Sequence, residues 1–131
     1  LCNKHAVQTG SQVRFFPLGI NSLHTDYTTQ INLYRITQEA LQNIRKHSEA
    51  TRVSVRLIAS SPHILLRIHD NGKGFNPSLR FTQITPEEFH LGLTSMEERA
   101  HMLNGDFTIN SSLGRGTEIK VKVPMRYEAS L

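Results

Sequence analysis

The run Asp70-Asn71-Gly72-Lys73-Gly74-Phe75 directly follows an apolar stretch, Ile64-Leu65-Leu66-Arg67-Ile68-His69. The apolar stretch predicts a strand, so a carboxylate and two glycines stand where the strand ends. Glycine adopts positive φ without strain and lets the main chain approach a ligand closely. The same residue types also form ordinary turns. A second polar group upstream favours the ligand site.

That second group lies in a predicted helix that ends near His47. Apolar residues at helical spacing mark its core face: Leu33, Ile36, Ala40 and Ile44. Glu39, Asn43 and Lys46 follow the i, i+4, i+7 pattern, which places them together at the edge of the apolar stripe. An acid, an amide and a cation there could serve a metal-bound anion, or could form a solvated face with a Glu-to-Lys pair. The poor helix propensity of a mid-helix asparagine favours the former.

A third motif predicts a helix that begins at Thr94 and stops at Gly105. Helical spacing again marks a core face: Leu93, Met96, Ala100 and Leu103. Thr94 and Glu97 form a capping-box pattern, so Gly92 would lie just before the helix start. Free N–H groups and the helix dipole favour anions at such a position. The alternative is a capped surface helix that binds nothing.

Together, these motifs suit a magnesium nucleotide, and the chain resembles the catalytic, ATP-binding (GHKL-type) domain of bacterial sensor histidine kinases. More narrowly, it resembles the branch whose partner regulators carry helix-turn-helix DNA-binding domains. The resemblance covers residues from about 10 to 124. Four segments carry it: the asparagine box (34–50), two glycine boxes (70–75 and 90–100) and Gly114-Arg115-Gly116-Thr117-Glu118.

The resemblance implies an adenine site around the first glycine box. Asp70 would accept a hydrogen bond from the adenine amino group, which selects adenine over guanine. Gly72 and Gly74 would let the main chain pass close to the base. Thr117 would lie near the adenine pocket, with its hydroxyl available for a water bridge.

It also implies a magnesium and phosphate site on the helix that carries the asparagine box. Asn43 would give its carbonyl oxygen to Mg²⁺, a hard cation that prefers oxygen ligands. Glu39 would act in catalysis, by orienting a magnesium-bound water or by assisting proton transfer. Lys46 and His47 would approach phosphate oxygens.

The second glycine box would complete the phosphate site. The resemblance implies that Gly92 and Leu93 present main-chain N–H groups to phosphate. His90 stands where the fuller family pattern has another glycine. Residues 76–89 are expected to form a loop that orders over the nucleotide. Arg99 is expected to form a salt bridge, because helical spacing points it away from the apolar face.

The implied activity is that of a protein histidine kinase in two-component signal transduction, with ATP and Mg²⁺ as cofactors. None of the seven histidines stands in the family's Glu-x-x-His-Asp acceptor motif. The acceptor is therefore expected on separate dimerisation helices that precede Leu1, and a response regulator would be reached through the full-length protein. Alternatives are an ATP-gated clamp of the gyrase, Hsp90 or mismatch-repair kind, an anti-sigma serine kinase, or a nucleotide-binding module without transfer activity.

Composition agrees with an ordinary globular domain. The 131 residues predict one domain (1–131) with a core at about 10–124, the remnant of a preceding helix at 1–9 and a tail at 125–131. The single cysteine, Cys2, excludes an internal disulfide and fits a reducing compartment. No apolar run approaches a membrane span, so a cytoplasmic location is expected, within a parent protein that could be membrane-anchored. The net charge is +4, but the basic residues are spread along the chain, so nucleic-acid binding is not expected. The excised domain is expected to be monomeric.

The predicted fold is an α+β two-layer sandwich, with a mixed, mostly antiparallel sheet and helices on one face (a Bergerat-type ATP-binding fold). Alternation of apolar and polar residues predicts strands at 52–58 and 117–123. Strands at 63–69 and 106–110 are predicted as their hairpin partners, and a further strand is predicted at 12–16. Residues 17–28 are predicted to form a loop.

Overall fold

A single five-stranded sheet with two helices makes up the computed structural model, which describes residues 12–18, 25–75 and 87–126. The elements are β1 (Gln12–Leu18), α1 (Tyr27–His47), β2 (Arg52–Ser60), β3 (His63–Asp70), α2 (Glu87–Met102), β4 (Asp106–Ser112) and β5 (Gly116–Pro124). The strand order is β1-β2-β3-β5-β4. β1 and β2 are parallel and the other neighbours are antiparallel. The predicted fold class is confirmed.

The two helices pack against the sheet and against each other, and the core lies between these layers. The predicted core faces of both helices are buried, with Ile36, Ala40, Met96 and Ala100 fully enclosed. The sheet contributes alternate residues: Val53, Val55, Ile64, Leu66, Ile68, Ile119, Val121 and Val123. Burial of each large aliphatic side chain stabilises the fold by about 1.5–3 kcal/mol. No helix in the described ranges is long and apolar enough to cross a bilayer.

The predicted loop at 17–28 is wrong at both ends. β1 continues through Pro17 to Leu18, which is possible because β1 is an edge strand and proline donates no hydrogen bond. α1 begins at Tyr27, and Asp26 caps it by accepting a hydrogen bond from the Thr29 N–H at 3.0 Å. That hydrogen bond lowers the pKa of Asp26.

The predicted start of the second helix at Thr94 is also wrong. α2 begins at Glu87, so Thr94 lies inside the helix and does not cap it. Pro86 precedes Glu87 in the sequence, and proline followed by acidic residues is typical of a helix start. Residues 87–89, predicted as the end of a loop, belong to α2, and 76–86 lie outside the described residues.

The other predicted boundaries are close to those observed. α2 ends at Met102, Asn104 adopts a positive φ of 56°, and the Gly105 N–H donates to the Ala100 carbonyl at 2.9 Å. β2 to β5 are each slightly longer than predicted, and β3 ends at Asp70 itself. The segments predicted as a remnant helix (1–9) and most of the predicted tail lie outside the described residues.

Candidate functional site

A pocket of about 380 Å³ opens between α1, α2 and the sheet at the end of β3. Its lining includes six of the residues predicted from sequence: Asn43, His47, Asp70, Gly74, Leu93 and Thr117. Aliphatic side chains from α1, β4 and β5 form much of its wall, among them Ile44, Ile109 and Ile119. An apolar pocket with a few polar groups suits a flat, partly polar ligand.

Asp70 supplies a carboxylate to this pocket from a buried position. Its side chain is only 2% exposed, and Oδ1 accepts a hydrogen bond from the Gly72 N–H at 2.8 Å. Burial raises the pKa of the Asp70 carboxyl above its ordinary value of 3.8, against the smaller opposing effect of the Gly72 hydrogen bond. Since Gly72 uses one carboxylate oxygen, the other is left for a ligand.

The glycines after Asp70 are required by contacts with the protein's own backbone. A Cβ atom at Gly72 would collide with the Ser48 carbonyl oxygen, and one at Gly74 with the Ser112 carbonyl oxygen. Gly74 also has a positive φ of 64°. The Lys73 N–H donates to the Ser48 carbonyl at 2.8 Å, which ties this segment to the end of α1. A direct role of these glycines toward a nucleotide stays a prediction.

Thr117 lies directly opposite Asp70 in the register of β3 and β5. Its Oγ1 atom is 2.7 Å from the Oγ atom of Ser111 on β4. Ser111 Oγ also accepts a hydrogen bond from the Phe75 N–H at 2.8 Å and donates to the Gly116 carbonyl at 3.1 Å. The hydroxyl of Ser111 therefore joins the glycine-rich segment to the start of β5.

Sequence reasoning missed Ser111 and Ser48 as members of the site. Ser111 follows Phe107 and Ile109 at a spacing of two, so the strand pattern already assigns it to the inward face. A polar residue at an inward position is the signal that could have found it. Ser48 contributes mainly through its backbone carbonyl, which leaves no mark in the sequence.

Glu39 and Asn43 meet α2 at Gly92, and of these three residues only Asn43 lines the pocket. A Cβ atom at Gly92 would lie 2.7 Å from Glu39 Oε1 and 2.8 Å from Asn43 Nδ2. Asn43 is 7% exposed, and its Nδ2 atom is buried with no hydrogen-bond partner among the described residues. A buried donor without a partner costs about 1–3 kcal/mol, which favours a ligand or water at this position.

These two side chains fit a magnesium ion. Mg²⁺ is usually held by one or two side-chain oxygens together with waters and substrate phosphates. Glu39 and Asn43 bring a carboxylate and an amide oxygen to one point beside Gly92. No group of three or more His, Cys, Asp or Glu side chains suited to a metal occurs in the part of the chain that the structure describes.

The remaining predicted residues have different surroundings. Lys46 is exposed and His47 is half-buried at the pocket wall. Gly92 and Leu93 lie inside α2, so the predicted open helix start at Gly92 is wrong for this conformation. Arg99 Nη1 donates to Asn32 Oδ1 at 3.1 Å, which links the two helices through an amide rather than through a carboxylate.

A family model matches most of the described chain. The family is described as "Histidine kinase-, DNA gyrase B-, and HSP90-like ATPase", and the match covers residues 28–127. It therefore spans α1, both glycine-rich segments and the last hairpin.

Sensor proteins of staphylococci are similar to this chain in sequence. The chain is 44% identical over 97 residues to Sensor protein VraS of Staphylococcus epidermidis, covering 74% of this chain and 26% of that protein. It is 43% identical over 99 residues to Sensor protein VraS of Staphylococcus aureus, covering 76% and 27%. The chain thus spans about a quarter of the length of these relatives.

Solved structures with the same fold include that of a sensor histidine kinase. Full-length ShkA in complex with AMPPNP superposes with a TM-score of 0.75 at 19% identity, covering 97% of this chain and 28% of that one. The mycobacterial sensor histidine kinase MprB superposes with a TM-score of 0.66 at 24% identity, covering 96% and 90%.

Proposed function

This chain belongs to the histidine kinase-, DNA gyrase B- and HSP90-like ATPase family, and we propose that it binds ATP with Mg²⁺ and supplies the γ-phosphoryl group to a histidine on another domain. The observation that carries the proposal is the buried carboxylate of Asp70 in an apolar pocket that also contains Asn43 and Thr117. Identity of 44% to a named sensor protein favours a histidine kinase over the other activities of the family.

In the proposed complex, adenine occupies the apolar end of the pocket. The carboxylate of Asp70 accepts a hydrogen bond from the exocyclic amino group, while guanine would present a carbonyl oxygen to the same acceptor. Ile44 and Ile119 line the pocket and cover the faces of the base. A charge-assisted hydrogen bond in a buried site gives both affinity and selectivity.

The phosphates extend toward Glu39 and Asn43. Asn43 offers its amide oxygen to Mg²⁺, and Glu39 orients a water or accepts a proton beside it. When bound, Mg²⁺ would neutralise charge on the phosphate oxygens. Lys46 and His47 follow on the same helix and add hydrogen-bond donors for phosphate. Main-chain donation by Gly92 and Leu93 requires a change in the first turns of α2 and is part of the proposal.

The partners follow from the reaction. Phosphoryl transfer of this kind depends on positioning and on neutralising charge, so the acceptor histidine must reach the open end of the pocket. We place that histidine on dimerisation helices of a longer, sensor-type parent protein, with a response regulator as the next acceptor. The domain itself would work in the cytoplasm.

A titration of the chain with ATP and GTP, with and without Mg²⁺, tests the binding proposal. Calorimetry should show ATP binding that Mg²⁺ strengthens and much weaker GTP binding. Equal affinity for the two nucleotides would contradict the role of Asp70.

A transfer assay tests the kinase proposal separately. With radiolabelled ATP, label should appear on a separately supplied acceptor-helix domain of the parent protein and not on this chain. Label on this chain's own histidines, or free phosphate without any acceptor labelling, would favour a different activity of the family.

A further inference from the structure

We propose that Ser111 is a specificity-determining positioning residue, which fixes the hydroxyl of Thr117 as a hydrogen-bond acceptor facing the base. Two acceptors, Asp70 and Thr117, would then confront the 6-position of a bound purine. This inference rests on the proposed function, since it concerns the same adenine pocket, and it assigns a role to a residue outside the four sequence motifs.

The starting observation is the set of contacts around one oxygen atom. Ser111 Oγ lies 2.8 Å from the Phe75 nitrogen, 3.1 Å from the Gly116 carbonyl oxygen and 2.7 Å from Thr117 Oγ1. A serine hydroxyl has one hydrogen to donate and two lone pairs that accept. Three contacts therefore use its full capacity.

The partners decide the direction of each bond. The Phe75 N–H can only donate, and the Gly116 carbonyl oxygen can only accept. The hydrogen of Ser111 must therefore point at Gly116 if all three contacts are hydrogen bonds. The third bond then runs from Thr117 to Ser111, and Thr117 has no hydrogen left for a ligand.

The position of Thr117 makes this direction matter. Thr117 lines the pocket and lies opposite Asp70 in adjacent strands, where paired Cβ atoms are about 4.5–5.5 Å apart. The amino group of adenine carries two hydrogens and can satisfy both acceptors, directly or through a water. The O6 atom of a 6-oxo purine has only lone pairs, so it would face two acceptors and gain no hydrogen bond from either of them at that position.

The experiment compares ATP with inosine triphosphate (ITP), which differs from ATP at the 6-position and at N1 and lacks the 2-amino group of GTP. Dissociation constants are measured by calorimetry for the wild-type chain and for Ser111→Ala, Thr117→Val and the double variant. Ser111→Ala releases the Thr117 hydroxyl to donate into the pocket. We expect the preference for ATP over ITP to fall by about 3- to 10-fold, the scale of one hydrogen bond.

The double variant separates this role from simple support of the fold. If Ser111 acts through Thr117, then Ser111→Ala should leave the ATP-to-ITP ratio unchanged in the Thr117→Val background. Ser111→Thr retains a hydroxyl and should retain the wild-type ratio, and Ser112→Ala, at an exposed neighbour, should do the same.

Several outcomes would overturn the inference. Loss of ATP and ITP affinity by the same factor in Ser111→Ala would show that Ser111 only supports the fold. A ratio that changes equally with and without Thr117 would show that it does not act through that residue. If the wild-type chain binds ATP and the ratio stays constant, the inference fails while the proposed function stands; if the wild-type chain does not bind ATP, both fail.

Discussion

The two ends of the pocket differ in how completely the protein satisfies its own polar groups. At the proposed adenine end, Asp70 is held by Gly72, and Ser111 uses every hydrogen bond that its hydroxyl can make. At the proposed magnesium end, the Nδ2 atom of Asn43 is buried without a partner among the described residues. Gly92 of α2 lies against the same amide.

This difference indicates that the two ends are preorganised for a ligand to different extents. The adenine end is preorganised, because its acceptors are already oriented by short hydrogen bonds. The proposed magnesium end is covered by α2 in this conformation, so the phosphates and the ion of the proposed complex would have to displace part of that contact. Substitutions at the first end should therefore change affinity most, and those at the second should change the magnesium response and the packing.

The largest expected effect comes from Asp70→Asn. Asparagine replaces one carboxylate oxygen with an NH2 donor, so it cannot accept both from the Gly72 N–H on one side and from the amino group of the proposed adenine on the other. ATP affinity measured by calorimetry should fall by about 10- to 100-fold, the scale of a hydrogen bond to a charged group. Asp106→Asn, at an exposed aspartate of β4, is the matched control and should bind as the wild type does. Unchanged ATP affinity in Asp70→Asn would contradict the proposal that Asp70 binds adenine.

Asn43→Ala tests the magnesium end. Removing the amide oxygen should abolish most of the gain in ATP affinity that Mg²⁺ provides, at least about 10-fold by analogy with the loss of a metal's supporting groups. Affinity without Mg²⁺ should change little. Gln42→Ala, at the exposed neighbour on α1, should keep the full magnesium response. A full response in Asn43→Ala would contradict the ligand assignment.

Gly92→Ala tests the contact between α2 and α1. The added methyl group would crowd Glu39 and Asn43, at a cost of about 1–3 kcal/mol that the better helix propensity of alanine offsets by about 1 kcal/mol. The midpoint of thermal unfolding should fall by about 4 °C for a net loss near 1 kcal/mol. Glu98→Ala, on the exposed face of the same helix, should show no such loss. A more stable Gly92→Ala variant would show that the Glu39 and Asn43 side chains turn aside at little cost.

The smallest expected effect is a pH-dependent gain of stability in Asp70→Asn. Because burial raises the pKa of Asp70 above 3.8, the native chain binds more protons than the unfolded chain between pH 3.8 and the raised value. The stability that this group contributes is full below pH 3.8 and is lost as the pH rises through the native pKa. Thermal unfolding should therefore show the variant more stable than the wild type at neutral pH and equal to it below pH 3.8. A difference in thermal stability that is the same at all pH values would exclude the raised pKa of Asp70 as its cause.

Much of the fold followed from the sequence because its core residues repeat at regular spacing. The faces of α1 and α2 were predicted from Ile36, Ala40, Met96 and Ala100, and all four are buried. The start of α2 was not predicted correctly, because a capping pattern at Thr94 and Glu97 competed with the proline and acidic residues upstream. Local capping patterns indicate where a helix can begin, whereas packing against the rest of the fold decides where it does begin.

The site was predictable where a side chain carries the chemistry. Asp70, Asn43 and Thr117 were named from their motifs and line one pocket. Ser48 was not predictable, since its contribution is a carbonyl that accepts from Lys73 across the site. Such contacts depend on the approach of two backbone segments, which no single residue type records.

The parallel pairing of β1 with β2 has a practical consequence for handling the domain. The family match begins at residue 28, so a clone trimmed to that boundary would lack Gln12–Leu18 and leave Arg52–Ser60 with an unpaired row of amides and carbonyls. Such an exposed strand edge can pair with a strand of a second molecule. A product shortened to residue 28 would then aggregate because it lacks this edge strand and also the Asp26 cap of α1.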